Sequence, residues 1–340
     1  MKRFITCASY YGTGSSAVTD FVSEYEDVFN FTNEEFRFLQ DPDGISDLEF
    51  NLTDCFNRHN SGHSLKRYKR LVDFYSGNLF GKKYAGFFGD KWKELSYRYI
   101  RSLTDFSYPG WWQYDLYDRG SFFYFRKRIL NKLLHKTIWK NAPDRHLNTM
   151  KKEITYCSHP SKEKFLAMTR QYVYALFSSV ISGDQEIIMV DQLVPPINVQ
   201  RYLRYFYDNI QVVIVDRDPR DVFVLDKYVW KDGILPNDAE TFCKWFRYTR
   251  SHRKTENLDT DQIKFIRFED LIYRYDQTTD DLAAWLKLDR KKQVKPRSNF
   301  KPEISIRNTQ VWKKYPESSL EVEMIEHKLR EYLYAFPDKP

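Results

Sequence analysis

Gly12-Thr13-Gly14-Ser15-Ser16 stands between an apolar run at residues 4–8 and a stretch with helical spacing that begins near Ser15. That order of residue types suits the holding of an anion. Backbone N–H groups at a helix start lack partners and sit at the positive end of the helix dipole. Glycines let the chain approach a phosphate closely, and Ser15 and Ser16 add hydroxyl donors. A second anion-binding candidate is Asp216-Arg217-Asp218-Pro219-Arg220-Asp221, which directly follows the apolar run 212–215. Arg217 and Arg220 have the planar, forked donors that match phosphate oxygens. On residue types alone, a local Arg–Asp salt-bridge turn explains the same segment equally well. Asp221 suits the start of the helix that follows.

These residues need a frame that brings them to one edge. Short apolar, β-rich runs occur at residues 4–8, 27–31, 187–190, 212–215 and 263–268. Helical patterns separate them, which predicts βαβ units and a parallel sheet. One helix runs from about 15 to 25. Another is capped by Ser161, buries Phe165, Met168, Tyr172, Val173, Leu176, Phe177 and Val180, and is closed by Gly183. Residues 197–207 fill the next crossover. A last helix starts near Pro316 and runs through Leu320, Met324, Leu329 and Leu333. Ligands of open α/β sheets bind at the carboxyl ends of the strands, where both the glycine loop and the arginine turn fall. The expected fold class is therefore α/β, a central parallel sheet flanked by helices, similar to P-loop NTPases, with a helical and aromatic insertion. Residues 1–340 read as a single domain, and 80–160 as an insertion or lid within it. That insertion holds Trp111-Trp112 and the basic stretch FRKRILNKLLHKTIWK. The stretch suits a membrane surface or an acidic polymer, or else a solvated helix packed on the main domain.

The match to the NTPase phosphate loop, GxxxxGK[ST], is partial. Placing Gly14 on its second glycine puts Ser9 on the first and Ser15 on the lysine. That lysine neutralises the transferring group in NTPases. Its absence argues against an ordinary ATPase or kinase. Asp191, at the end of IIMVD, reads as a helix cap, a Walker-B-like aspartate or a base.

Four segments together resemble a family: sulfotransferases that use 3′-phosphoadenosine 5′-phosphosulfate. YGTGSSAV resembles the family's 5′-phosphosulfate loop, and VIVDRDPRDVFVL its 3′-phosphate motif. FIRFEDLI resembles its Arg-x-Glu-Asp-Leu strand and turn, and SIRNTQVWKKY its C-terminal nucleotide loop. They occur in the family's order across residues 1–30 and 185–335. The resemblance implies sulfuryl transfer to a hydroxyl or amine, with Gly12, Thr13, Gly14, Ser15, Ser16, Arg217 and Arg220 on the cofactor. Arg307, Asn308, Thr309 and Lys313 are implied on its 3′-phosphate, and Trp312 stacks on adenine or simply packs. It also implies a base near Asn33-Glu34-Glu35-Phe36-Arg37, with Glu35 first and Glu34 next. Two positions depart from the family. Gly12 stands where many members carry Lys or Arg, and Leu225 where many carry Ser. Arg37 is a candidate for the missing cation.

Totals bound the rest. A net charge of +7 suits an anionic ligand. No nucleic-acid motif accompanies it, so nucleic acid is not the expected partner. A saccharide or glycolipid acceptor fits the charge and the Trp111-Trp112 pair, and a phenol, a lipid or a nodulation-type oligosaccharide fits almost as well. The four cysteines show no CxxC pairing, and neither HExxH nor a Cys/His set suggests a required metal. The opening MKRFITCASYYGTGSS is too short and polar for a signal peptide, and no run reaches the ~18 apolar residues that span a bilayer. A cytoplasmic location is the expectation. The rival readings are a P-loop small-molecule or nucleotide kinase and a non-catalytic nucleotide- or glycan-binding protein.

His59 and His63 lie beside Lys66, Arg67, Lys69 and Arg70. They read as acceptor or phosphate contacts, or as an exposed basic helix start.

Overall fold

The computed structural model describes residues 2–77, 82–147, 150–181, 183, 185–251, 253, 256 and 260–337, with the backbone alone at 32 and 33. Along the chain run β1 (Arg3–Ser9), α1 (Ser15–Val22), β2 (Val28–Glu35), α2 (Arg58–Gly77) and α3 (Asp90–Leu103). Then come β3 (Phe106–Pro109), α4 (Gln113–Lys136), β4 (Ile154–Cys157), α5 (Lys162–Ser178) and β5 (Ile187–Asp191). The last are β6 (Ile210–Asp216), α6 (Pro219–Val224), α7 (Ala239–Arg250), β7 (Ile263–Arg267) and α8 (Ser319–Lys328), with short helical turns between.

The apolar runs become one parallel sheet in the order β2-β5-β1-β6-β7, flanked by helices. This is the expected α/β class, with an aromatic-rich helical insertion. Every residue of β5 and β6 is buried, so both faces of the sheet centre are covered. β1 lies between β5 and β6, with Cys7 beside Asp191 and Ser9 beside Val215. The chain leaves β1 toward β2 on one side and passes from β5 to β6 on the other. That reversal makes the carboxyl end of β1 the crevice of the sheet.

The helices follow their apolar spacing, with local departures. α1 buries Ala17, Val18, Phe21 and Val22, and each such side chain is worth about 1.5–3 kcal/mol when fully buried, alanine less. α5 starts as expected: the Lys164 N–H donates to the Ser161 hydroxyl at 3.2 Å. It ends at Ser178, so Val180 and Gly183 lie beyond it. The crossover at 197–207 holds only a short turn of helix, Val199–Leu203. Near the C-terminus, Pro316–Ser318 forms a 3-10 turn and α8 begins after it. α8 buries Val322 and Ile325, while Leu320 is 79% exposed. The inward face is thus rotated from the Leu320–Met324 stripe.

The chain divides into two compact units: Met1–Gln40 with Phe177–Pro340, and Asp41–Leu176. The expected insertion at 80–160 falls within the second, and its residues 80, 81, 148 and 149 lie outside the described residues. The second unit has its own core. Leu65, Tyr68 and Val72 of α2 are buried, as are Trp92 and Tyr99 of α3. The Trp92 indole donates to the Val72 carbonyl at 3.0 Å, and the Tyr99 and Tyr172 rings stack at 4.7 Å. β3 and β4 form an antiparallel pair in the same unit.

Candidate functional site

The loop after β1 is built by two glycines at positive φ, +72° at Gly12 and +89° at Gly14. A Cβ on Gly14 would stand 2.5 Å from the Phe268 ring, so the position excludes any larger residue. Thr13 differs from expectation. Its side chain is buried, with the hydroxyl 2.8 Å from both the Tyr10 and Val215 carbonyls, and its N–H donates to Tyr10 at 3.2 Å. Thr13 pins the loop to β6 and has no donor left for a ligand. Ser16 is exposed at the first turn of α1, and Ser15 donates its hydroxyl to Asp191 Oδ2 at 3.0 Å.

Arg217 joins this loop to the C-terminal segment. It is buried, and its Nη1 donates to the Gly12 carbonyl at 3.2 Å while Nη2 donates to the Asn308 carbonyl. The guanidinium lies over the Phe268 ring at 4.5 Å, the same ring that limits Gly14. Its Nε–H is buried without a partner among the described residues. Burial pulls the Arg217 pKa down, against the charges of Asp221, Glu269 and Asp218. The turn itself is fixed by Glu269, a buried residue of the FED segment, whose Oε1 accepts the Asp218 N–H at 2.6 Å.

Arg220 behaves otherwise. Its Nε and Nη2 fork onto Asp218 at 2.9 and 2.8 Å, and Nη1 reaches Glu326 at 2.7 Å. Trp312 lies under it at 4.0 Å. Asp218 caps α6 through the Arg220 N–H, so the capping carboxylate already faces that guanidinium. The salt-bridge turn therefore claims Arg220, and Trp312 is its platform rather than a free aromatic face. Asp221 is not the cap. It sits in the first turn and accepts the Gln310 and Val311 N–H groups at 3.0 and 2.6 Å, with its pKa pushed up to about 7 by burial. Thr309 is buried against Tyr273 at 2.7 Å, Lys313 bonds Gln310, and Arg307 is exposed. Leu225 is buried in the apolar core below.

A carboxylate pair flanks the glycine loop. Glu35 is the β2 residue in register with Asp191 of β5, after a register shift that follows Asn30. Its carboxylate is half-exposed and 3.8 Å from Arg37 Nη1, while Glu34 is exposed. Asp191 is buried and caps no helix; it ends β5 and turns its side chain toward Ser15. Burial, with the Glu35 charge, pushes its pKa up to about 7 against the Ser15 hydrogen bond. Its Oδ1 is buried with no partner among the described residues.

Residue patterns missed one constellation at the same edge. Asp216, fully buried, receives Arg250 Nη2 at 2.6 Å and Arg253 Nη2 at 2.5 Å. Arg250 lies between the Tyr10 and Phe246 rings, at 4.1 and 3.3 Å. Burial alone would raise the Asp216 pKa, but the guanidiniums hold it well below the usual range. A signal was present: Arg250 continues the stripe Ala239, Phe242, Cys243 and Phe246, so helical spacing directs it inward.

In the second unit, His59 stacks on Trp112 at 3.9 Å, and His63 Nε2 lies 3.2 Å from Asp118. Lys66 and Arg67 are paired with Asp115 and Asp43. Among the described residues, no group of three or more His, Cys, Asp or Glu could hold a metal ion.

No family model and no curated protein matches the chain. Two solved structures align with most of it. A sulfotransferase from Mycobacterium tuberculosis H37Rv is 11% identical over 92% of this chain and 77% of its own, with a TM-score of 0.33. A retinol dehydratase, in complex with androsterone and inactive cofactor PAP, is 12% identical over 98% of this chain and 83% of its own, with a TM-score of 0.34.

Proposed function

We propose that this chain is a sulfotransferase. It moves a sulfuryl group from 3′-phosphoadenosine 5′-phosphosulfate to a hydroxyl or amine, most simply on a saccharide. One observation carries the reading: Arg217 touches the glycine loop through Gly12 and the C-terminal segment through Asn308. One bisphosphorylated nucleotide needs two anion sites within its own length, and this residue ties both segments together. The unpartnered Arg217 Nε–H is a buried donor that an anionic oxygen would satisfy.

In this reading the N–H groups of Ser15 and Ser16 and the Ser16 hydroxyl hold the 5′ end, with the Ser15 hydroxyl turned to Asp191, and Arg217 holds the 3′-phosphate. Glu35 takes the acceptor proton as the acceptor atom bonds to sulfur. The bond from sulfur to the 5′-phosphate oxygen breaks, and adenosine 3′,5′-bisphosphate leaves with that electron pair. Arg37, beside Glu35, supplies the positive charge that Gly12 cannot. A positioned base contributes about 10²–10⁴-fold, so Glu35→Gln should lower turnover by that order and leave nucleotide affinity unchanged. Equal turnover in single-turnover assays would move the base elsewhere.

Net charge and the Trp111-Trp112 pair support a saccharide acceptor. One sulfotransferase-like domain carrying residues 80–160 as an insertion, acting in the cytoplasm, completes the proposal. A kinase is the second reading, favoured by Asp191, which ends β5 beside the first turn of α1 as a Walker-B-like aspartate would, although Ser15 and not Ser16, the residue at the Mg²⁺-holding position, meets it. Thermal shift separates the two. The sulfotransferase reading expects adenosine 3′,5′-bisphosphate to stabilise the chain more than ADP or ATP, without Mg²⁺. A larger, Mg²⁺-dependent shift with ATP would select the kinase.

A further inference from the structure

α4 departs from the pattern of every helix that covers the sheet. Asp115 is its one buried residue among those described. Beyond a break at Gly120, φ +79°, Phe122, Phe125, Ile129 and Leu133 recur at spacings of three and four, which places them on one face. They are 81%, 56%, 56% and 54% exposed. The stripe runs about 16 Å at the helical rise of 1.5 Å per residue. Single exposed apolar residues are ordinary, but a contiguous row of phenyl and aliphatic side chains marks a contact surface.

Charge says what covers it. The two acids of α4, Asp115 and Asp118, lie before the break and are already paired with Lys66 and Arg67. Residues 126–140 carry six Lys and Arg and no acid. Arg126, Lys132 and Lys136 are exposed and, by helical spacing, border the apolar row. A second copy would set these cations against their own likeness. A polyanion would use the cations and leave the phenyl and aliphatic row in water. An anionic bilayer satisfies both, because headgroups meet the charges while the row enters the acyl boundary. Among the described residues no helix is long and apolar enough to cross a membrane, so this contact lies along the surface.

We propose that α4 docks the protein on anionic lipid surfaces through the Phe122–Phe125–Ile129–Leu133 row. The docking is independent of the nucleotide reading, since none of these residues belongs to the glycine loop or the arginine turn. The test is co-sedimentation of the whole chain with vesicles of phosphatidylcholine alone and of equimolar phosphatidylcholine and phosphatidylglycerol. The mixed vesicles should bind the protein, and plain ones should bind it at least about tenfold more weakly. The double variant Phe122→Ser/Ile129→Ser should lose about tenfold in binding to the mixed vesicles. The triple variant Arg126→Gln/Lys132→Gln/Lys136→Gln should lose about a hundredfold. All these positions are exposed, so circular dichroism and response to adenosine 3′,5′-bisphosphate should match the parent chain. No binding to mixed vesicles, or binding that ignores both variants, would overturn the proposal. So would a dimer in sedimentation that the serine variant converts to monomers, since a second copy would then own the face.

Discussion

The carboxyl edge of the sheet and helix α4 are built from the same residue types used in opposite ways. At the sheet edge, arginines and carboxylates are taken out of water and paired: Asp216 with Arg250 and Arg253, Asp218 with Arg220, Asp221 with two backbone N–H groups. Beyond Gly120, α4 keeps most of its cations and aromatic rings exposed, and a contact such as Arg128 over Tyr124 at 5.6 Å stays within the helix. Buried, hydrogen-bonded charge fixes geometry, because leaving any member unpaired is costly. Exposed charge fixes little and remains available to a partner. Position within the fold, not composition, makes the first region rigid and the second receptive.

The contrast can be broken at Asp216. Asp216→Ala leaves the fully buried Arg250 without its carboxylate and should cost about 3–5 kcal/mol in urea unfolding. A loss under about 1 kcal/mol would place that pair with ordinary surface bridges. Arg217→Ala should weaken adenosine 3′,5′-bisphosphate binding by about 1.5–3 kcal/mol in calorimetry, the scale of a hydrogen bond to a charged group. Unchanged affinity would make Arg217 a structural strut like Arg220.

Asp191 makes the sheet edge sensitive to pH. Its folded pKa of about 7 lies above the ordinary 3.8, so the folded state holds the extra proton between those values. Stability from this group must therefore fall as pH rises from about 4 through about 7. Asp191→Asn should remove its own share of that slope, about 4 kcal/mol above pH 7 for a pKa raised from 3.8 to about 7, while the share of Asp221, also raised to about 7, persists; denaturant titration at several pH values reads both. A slope left undiminished by the substitution would assign it wholly to other groups, Asp221 first. The smallest effect belongs to α4: Phe122→Ser should change unfolding free energy by no more than about 0.5 kcal/mol, because the ring loses no buried contact.

Much of the frame was legible because apolar runs are local. The runs at 187–190 and 212–215 became β5 and β6 with their ends extended by one to three residues, and Ser161 capped α5. Boundaries slipped where a helix tightened into a 3-10 turn, as at Pro316. Thr13 and Arg220 were expected on a ligand because their neighbours suit one. The strand that absorbs the Thr13 hydroxyl and the helix that brings Glu326 to Arg220 come from distant parts of the chain. Arg250 was readable in its helical stripe, but its partner Asp216 was not.

Alternation of apolar runs with helical spacing, and two glycines between the first strand and helix, were enough to specify a parallel sheet with a tight loop at its crevice. Those features depend on neighbours a few residues apart, where sterics and burial act directly. Which arginine keeps a free donor, which carboxylate is driven toward neutral pH and which aromatic row stays in water depend on segments far apart in the chain, 91 and 205 residues for the two partners of Arg217. Desolvation and pairing fix each answer, and both exist only once the chain has folded.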